Sequence, residues 1–511
     1  MGAGAVALAA SYLIRYSLGG VFLPELAVNA LVTQTPGTVE SVLVTNLQSL
    51  AKYSAFTGAI AINLLLYGFL AYFMTAVGRR TSYADRVPIY SLVAYAVTLG
   101  LTVVFLELTQ VLSTPQSIPS VIIALLPSQF LFGFTLGAAD KFMPIQKGVI
   151  CEPMAPGRQP GKRFDRKRRL LIEAGVATAV GGVLLYYGVN LLFPKPTIIQ
   201  GSDESTLYSQ EVTPNSKFYR VDVNIFPPSV DTNSWSLRVM GLVGNPLTLN
   251  YAQLTGMNSV QQYNTLECVS NDIGGDLIST AKWTGVKLKD VLQAAGVQSD
   301  ATYVIFGAAD GYDVGIPLER ALLDGTILAY QMNDAPLPQE HGYPIRAIVP
   351  GYYGMMNCKW VTTINVVNYV HQGYWQQRGW ANEAQYQTGS SIVTPGISQI
   401  DDRFGIPGGS QLSLGQTPIA GIAFAGDRGI EKVEVSTDGG NTWVPASLKE
   451  PLSGYTWVFW RTEWNPPTAG QYKIEVRATD KTGAVQTAIM TDPFPSGATG
   501  YHIVNVTVTS S

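Results

Sequence analysis

Apolar residues crowd the first 195 positions and thin out abruptly after them. Five runs, at about 3–31, 53–77, 88–112, 119–139 and 170–193, come close to or exceed the ~20 residues needed to cross a bilayer. The second, SAFTGAIAINLLLYGFLAYFMTAV, carries no charge. The pattern predicts a five-helix transmembrane bundle over 1–195, with Tyr53, Tyr72, Tyr83 and Tyr90 near its interfaces. Buried helices of a large soluble core are the other reading, but five such runs leave little polar surface for one.

Past residue 196 polar positions return, turn signals recur, and helical and strand patterns mix. This predicts an α+β domain over 196–390. The segment NSKFYRVDVNIFPPSVDTNSWSLRVMGLV reads as strands broken by a Pro-rich bend. Trp283-Thr284-Gly285 reads as a turn into a short amphipathic helix, 304–306 as a strand, and 308–312 as a loop. From 391 the alternation has period two: EKVEVS, a turn at Asp438-Gly439-Gly440-Asn441, then QYKIEVRATD with Tyr472, Ile474 and Val476 on one face. That predicts an immunoglobulin-like β-sandwich of about seven strands over 391–511.

Loop charge orients the bundle. Arg79, Arg80 and Arg86 lie between the second and third runs. Lys141, Lys147, Arg158, Lys162, Arg163, Arg166, Lys167, Arg168 and Arg169 lie between the fourth and fifth. The other two loops share one Lys. The expectation is a multi-pass plasma-membrane protein in contact with lipid, N-terminus cytoplasmic, with everything after 195 outside. Lys167-Arg168-Arg169-Leu170-Leu171, before a Gly/Ala-rich run, looks like a twin-arginine export signal set inside a chain, although a basic linker reads the same way. Arg15, Glu25, Asn63 and Glu107 are polar positions within the apolar runs. Arg15 is expected to pair inside the bundle and Glu25 to snorkel, and none is assigned a role.

Composition removes several classes. Only 14% of the 511 residues are charged, against roughly 25% in soluble domains, and 47% are hydrophobic, so the chain is not disordered. Three Cys exclude a disulfide scaffold. A net charge of −3 without a broad basic face argues against nucleic acid. The first of three His is His341, so the bundle holds no bis-His haem and no haem is predicted.

Three patches carry candidate chemistry. Cys268, in YNTLECVSNDIGG, follows a strand-like run and precedes a Gly-rich loop; it reads as a small buried hydrophobe or as a thiolate presented to a soft metal. In HGYPIRAIVPGYYGMMNCKW, glycines permit tight turns, and His341, Arg346 and Lys359 read as surface cations or as a convergent phosphate site. In GYWQQRGW, the two Trp read as packing of a domain edge.

Over about 205–390 the phrases TLECVSN, AKWTGVKLKDVL, DGYDVGIP, HGYPIRAIVPGYYG and GYWQQRGW, in this order, resemble the sulfite oxidase family of molybdopterin enzymes. The resemblance implies that Cys268 is the protein thiolate on molybdenum. It implies that His341, Arg346 and Lys359 hold the pterin and its phosphate, and that Asn357 and Cys358 give mainly backbone contacts. It places Tyr219 and Arg220, in an opening strand, along the cofactor, with Asp310 in a loop near it. Trp380 shapes the substrate entrance, and no general base is identifiable. GIEKVEVSTDGGNTWVPA and WVFWRTEW resemble the family's C-terminal dimerisation domain, which implies a homodimer; a monomeric spacer is the alternative.

Animal and plant sulfite oxidases carry Arg-Asn-His where this chain has Asp222-Val223-Asn224, an Arg where it has Asp272-Ile273-Gly274, and a Tyr where it has Trp380. A pocket short of Arg binds a dianion such as sulfite poorly, and the likeness is closer to bacterial and archaeal relatives, including reductases of methionine sulfoxide. The expected function is oxygen-atom transfer on a small or protein-bound substrate outside the cytoplasm, with electrons exchanged with a cytochrome or quinone-reactive partner. The rivals are a non-catalytic binding or assembly module, a true sulfite oxidase, and a bundle that binds quinone near Glu107.

Overall fold

The computed structural model describes residues 2–18, 22–35, 39, 49–77, 83–108, 125–136, 211–224, 226–395 and 410–510. They form an N-terminal helical unit and a second unit that holds everything described from residue 211 on.

The helical unit contains α1 (Gly2–Leu18), α2 (Leu23–Gln34), α3 (Ser49–Val77), α4 (Tyr83–Leu108) and α5 (Leu125–Leu136). Among the described residues two helices are long and apolar enough to cross a membrane, over Ser54–Met74 and Val87–Val104. The expected five spans are corrected accordingly. The run 3–31 is two helices, not one: Gly19-Gly20 weakens helix propensity where α1 stops, and Pro24 lies in the first turn of α2, where a missing N–H leaves no bond unmade. The fourth run is described only as α5, while the fifth run and the paired Arg lie outside the described residues. Glu25 does not snorkel. It is buried, and its two oxygens accept from Arg15 Nε and Nη2 at 2.9 and 3.1 Å. On α3, Ile62, Leu65, Phe69 and Phe73 are 56–69% exposed while Asn63 is buried, the reverse of a helix built to face water.

In the second unit β1 (Ser236–Gly241), β2 (Leu247–Asn250), β5 (Tyr303–Ala308), β6 (Asp313–Pro317) and β10 (Val361–Val367) form a sheet of order β2-β1-β10-β5-β6. Only β1 and β10 run parallel. A second sheet joins β3 (Ser259–Glu267), β4 (Ile278–Lys287), β7 (Ile327–Met332) and β8 (Ala335–Pro336), with β9 (Arg346–Ile348) on β7. Short helices α6 (Tyr251–Thr255), α7 (Leu288–Ala295) and α8 (Leu318–Ala321) link strands. α7 buries Leu288, Val291, Leu292 and Ala295, spaced for one helical face, and stops at Gly296 with φ 66°. The expected turn at Trp283-Thr284-Gly285 is instead the middle of β4. Gly285 sits at a register shift, where a Cβ would lie 2.4 Å from the Leu328 carbonyl oxygen. The described residues of 218–235, expected as strands, pair with no sheet; Pro227 and Pro228 remove two ladder donors.

The C-terminal part is two stacked sheets. One joins β11 (Gly389–Thr394), β13 (Thr417–Phe424), β16 (Ser447–Leu448) and β17 (Val458–Trp464). The other joins β12 (Ser410–Ser413), β14 (Ile430–Ser436), β15 (Val444–Pro445), β18 (Gly470–Asp480) and β19 (His502–Thr509). The strands beyond the expected seven include the two-residue pairs β15 and β16. Their common core is Val433, Trp460, Ile474, Val476, Val504 and Val506. Another core runs across position 390 without a break, joining Ile422, Phe424, Trp457 and Phe459 to Leu328, Met356 and Trp360. Polar contacts pin the same seam: Trp457 donates from its backbone N to Thr265 Oγ1 at 2.8 Å and from Nε1 to Glu211 O at 3.1 Å.

Asp480, at the end of β18, has no exposed surface. Its oxygens accept from Arg428 Nε and Thr388 Oγ1 at 2.8 Å each and from Thr482 N at 3.0 Å. Burial opposes ionisation, but the Thr482, Arg428 and Thr388 hydrogen bonds outweigh it and hold this carboxyl well below the usual carboxylate range. The depressed value means its stabilisation is present at neutral pH and is lost as pH falls below about 4, through the folded-state value. Asp480→Asn is therefore expected to cost about 3 kcal/mol in urea unfolding at pH 7, with the difference from wild type shrinking in acid.

Candidate active site

β3 ends where its chain must turn, and that turn builds the floor of a cavity. Cys268 N donates to Leu277 O at 2.9 Å and Asn271 N to Cys268 O at 3.0 Å, so both backbone groups of Cys268 are fixed. Asn271 braces the loop, donating to Glu267 Oε1 and accepting from Leu277 N, each at 2.9 Å. The thiol is left facing a cavity of about 820 Å³, counting the part open to solvent. Its Sγ lies 3.0 Å from Ser270 Oγ. Burial pushes the thiol pKa up, and the Ser270 hydrogen bonds and Lys359 only partly offset it. A soft cation would supply the missing stabilisation of a thiolate.

The opposite wall is cationic. β9 presents Arg346, 3% exposed, whose Nη1 donates to His341 O at 3.2 Å and whose guanidinium lies 5.5 Å from the Trp283 ring centre. Its Nε has no hydrogen-bond partner, and burial lowers its pKa. Lys359 Nζ donates to Val221 O and Glu340 O at 3.2 Å each and is ion-paired with Asp222, which also takes Arg220. Burial brings the Lys359 pKa down to about 8. His341 is buried. Its Nε2 lies 2.9 Å from Asn215 O, which makes that nitrogen the donor and leaves Nδ1 a lone pair without a partner. Burial first, then Lys359 and Arg346, lowers its pKa to about 3, so the ring is neutral.

Loops close the remaining sides. Asn357 holds the 349–357 loop together, accepting from Val349 N at 2.7 Å and donating to Tyr352 O and Tyr353 O at 3.2 and 3.1 Å. Gly354 lets the Tyr219 hydroxyl approach, since a Cβ there would lie 2.3 Å from it. Asp310 accepts from Tyr312 N at 3.0 Å and from Asn224 Nδ2 at 3.3 Å, and burial raises its pKa to about 6. Tyr312 donates to Met355 O at 2.6 Å. Trp375 and Trp380 meet edge to face at 6.4 Å, and Trp380 rests on Phe494 of the C-terminal part at 5.2 Å.

The cavity thus brings together Tyr219, Cys268, Asp310, Arg346, Asn357, Lys359 and Trp380. Arg220, His341 and Cys358 are not among its lining residues. Arg220 acts through Asp222, His341 stands behind Arg346, and Cys358 packs in the core, 1% exposed. Tyr219 and Arg220 lie on an unpaired segment, not in a strand. Ser270, Tyr312, Met355 and Trp360 line the cavity without having been singled out, although all stand in or beside the quoted phrases. Asp222 also lines it, and only its departure from an Arg-bearing pattern marked it in advance.

No cluster of three or more His, Cys, Asp or Glu suited to a metal occurs among the described residues. A metal bound beside Cys268 would have that thiolate as its protein ligand and would need the rest of its ligands from a carrier. The unpartnered Nε–H of Arg346, a buried donor on a residue of the cavity wall, fits such a carrier if it is anionic.

Residues 224–375 match the oxidoreductase molybdopterin binding domain, and residues 397–508 match the Mo-co oxidoreductase dimerisation domain. The chain is similar to the mitochondrial sulfite oxidase of Homo sapiens, 31% identical over 301 residues that cover 52% of this chain and 55% of that protein. It is similar to a sulfite oxidase of Arabidopsis thaliana, 30% identical over 296 residues, 49% of this chain and 74% of the relative. An uncharacterised oxidoreductase of Bacillus subtilis is 30% identical over 179 residues, 35% of this chain and 88% of that one. The chain spans little more than half the length of the mammalian relatives it matches.

Proposed function

Since the chain belongs to the sulfite oxidase family of molybdopterin-dependent oxidoreductases, we propose that it is a membrane-anchored enzyme transferring an oxygen atom between water and a small or protein-bound substrate outside the cytoplasm. The molybdenum cofactor supplies, when bound, a two-electron redox centre for that exchange. Cys268 gives up its thiol proton and ligates the metal. Arg346 offers its free Nε–H and its charge to the carrier's phosphate, and Lys359 adds charge beside it. His341, neutral and behind Arg346, accepts from Arg346 Nη1 at its carbonyl and so holds that guanidinium toward the carrier. Asp310, Tyr219 and Asn357 flank the carrier, and Arg220 steadies Asp222. Trp375 and Trp380 form the substrate side of the opening and keep bulk water off the reacting atoms.

The N-terminal helices anchor the enzyme as a multi-pass bundle with the N-terminus cytoplasmic. The two apolar helices long enough to span, and the outward apolar face of α3, support the anchoring, and the Lys/Arg-rich loops support the orientation. The C-terminal sandwich pairs two chains as a homodimer, consistent with the dimerisation-domain match. A cytochrome or quinone-reactive partner exchanges the electrons.

The observation that carries the reading is the unpartnered Nε of buried Arg346, on the wall of the cavity that Cys268 floors. The test is metal and pterin determination on protein purified from its own membranes. Stoichiometric molybdenum and pterin are expected; an empty wild-type site would favour a non-catalytic binding module.

A further inference from the structure

We propose that the cavity selects an uncharged substrate and that Asp222 enforces this choice; the inference rests on the cofactor-bearing reading above. Four charged residues line the cavity: Arg346 and Lys359 against Asp222 and Asp310. An ammonium group has three protons to donate, and those of Lys359 are met by Val221 O, Glu340 O and the Asp222 carboxylate. Asp222, with its side chain 4% exposed, also takes the Nε–H of Arg220, so it caps two cations from inside the wall. Arg346 donates within the protein only from Nη1, to His341 O, so its Nε and the rest of its fork are the donors assigned to the cofactor.

An anionic substrate entering beside an anionic cofactor therefore meets two carboxylates, a Lys359 already paired with Asp222, and an Arg346 given over to the cofactor. It would lose its hydration without replacement, which a neutral molecule is spared. Beyond one further unpartnered donor, Trp380 Nε1, the wall offers the apolar surfaces of Val223, Met355, Trp375 and Trp380, with the Tyr312 hydroxyl turned away to Met355 O. The class that fits is a neutral oxygen donor or acceptor with apolar substituents.

Dimethyl sulfone and methanesulfonate are nearly equal in size and differ by one charge. Titrated into the molybdenum-loaded enzyme and read by pocket tryptophan fluorescence, the sulfone should bind the wild type more tightly. Asp222→Asn should strengthen methanesulfonate binding about ten-fold or more and leave sulfone binding nearly unchanged. Metal content and the thermal transition are checked for the variant, and Asp222→Ser replaces it if it does not fold. Methanesulfonate binding to the wild type as tightly as the sulfone, or no gain in a folded, loaded variant, would overturn the inference. Failure of the parent reading shows separately, as absence of molybdenum from the wild type.

Discussion

Cys268→Ser is expected to empty the site of molybdenum and to lower turnover by on the order of 10³-fold, equivalent to about 4 kcal/mol of barrier. An alcohol is far harder to ionise than a thiol and is a poor ligand for a soft metal. Ser270 already lies 3.0 Å from the sulfur without offering a substitute. The exchange is nearly isosteric and the side chain is 8% exposed, so the fold should survive with a melting temperature close to wild type. Metal analysis, turnover with an artificial acceptor, and a circular-dichroism melt read the three quantities separately. Retained metal would move the ligand elsewhere, yet among the described residues the other cysteine, Cys358, packs in the core.

Arg346→Met should give an opposite pair of effects. The guanidinium is 3% exposed, its Nε has no partner, and burial lowers its pKa, so the empty protein holds a poorly compensated cation. Replacing such a charge with an apolar side chain of similar length often stabilises by about 1–4 kcal/mol. The cofactor-free variant is thus expected to melt higher than cofactor-free wild type. Its cofactor content should fall to a small fraction of normal, because the donor offered to the phosphate is gone. Pterin content and thermal unfolding of both forms check this. A variant that loses stability and keeps its cofactor would show Arg346 to be a packing residue.

Much of this site was legible in the sequence because its members stand in short runs. Cys268 and Ser270 share one turn, and Arg346, Asn357 and Lys359 share one strand and the loop after it. The reach of His341 was not legible. A five-residue spacing to Arg346 places the two side by side, but which of them faces the cavity depends on the 3₁₀ turn at Gln339–His341. Asp222 stood out only as a departure, because its part comes from partners at 220 and 359 that local pattern does not join. The turn expected at 283–285 failed because tertiary pairing overrode the local signal: Gly285 serves a close strand approach, not a reversal. The five-run reading failed at its first member, where summed hydrophobicity ran through Gly19-Gly20 and Pro24 as though they did not interrupt a helix.

Trp380 leans on Phe494, more than a hundred positions later in the chain, and the two parts share one continuous core around Trp457. The catalytic cassette is therefore not portable. A fragment ending near residue 390 would expose the flank of its own doorway, and grafting the first sheets onto another anchor requires carrying the C-terminal sheets with them.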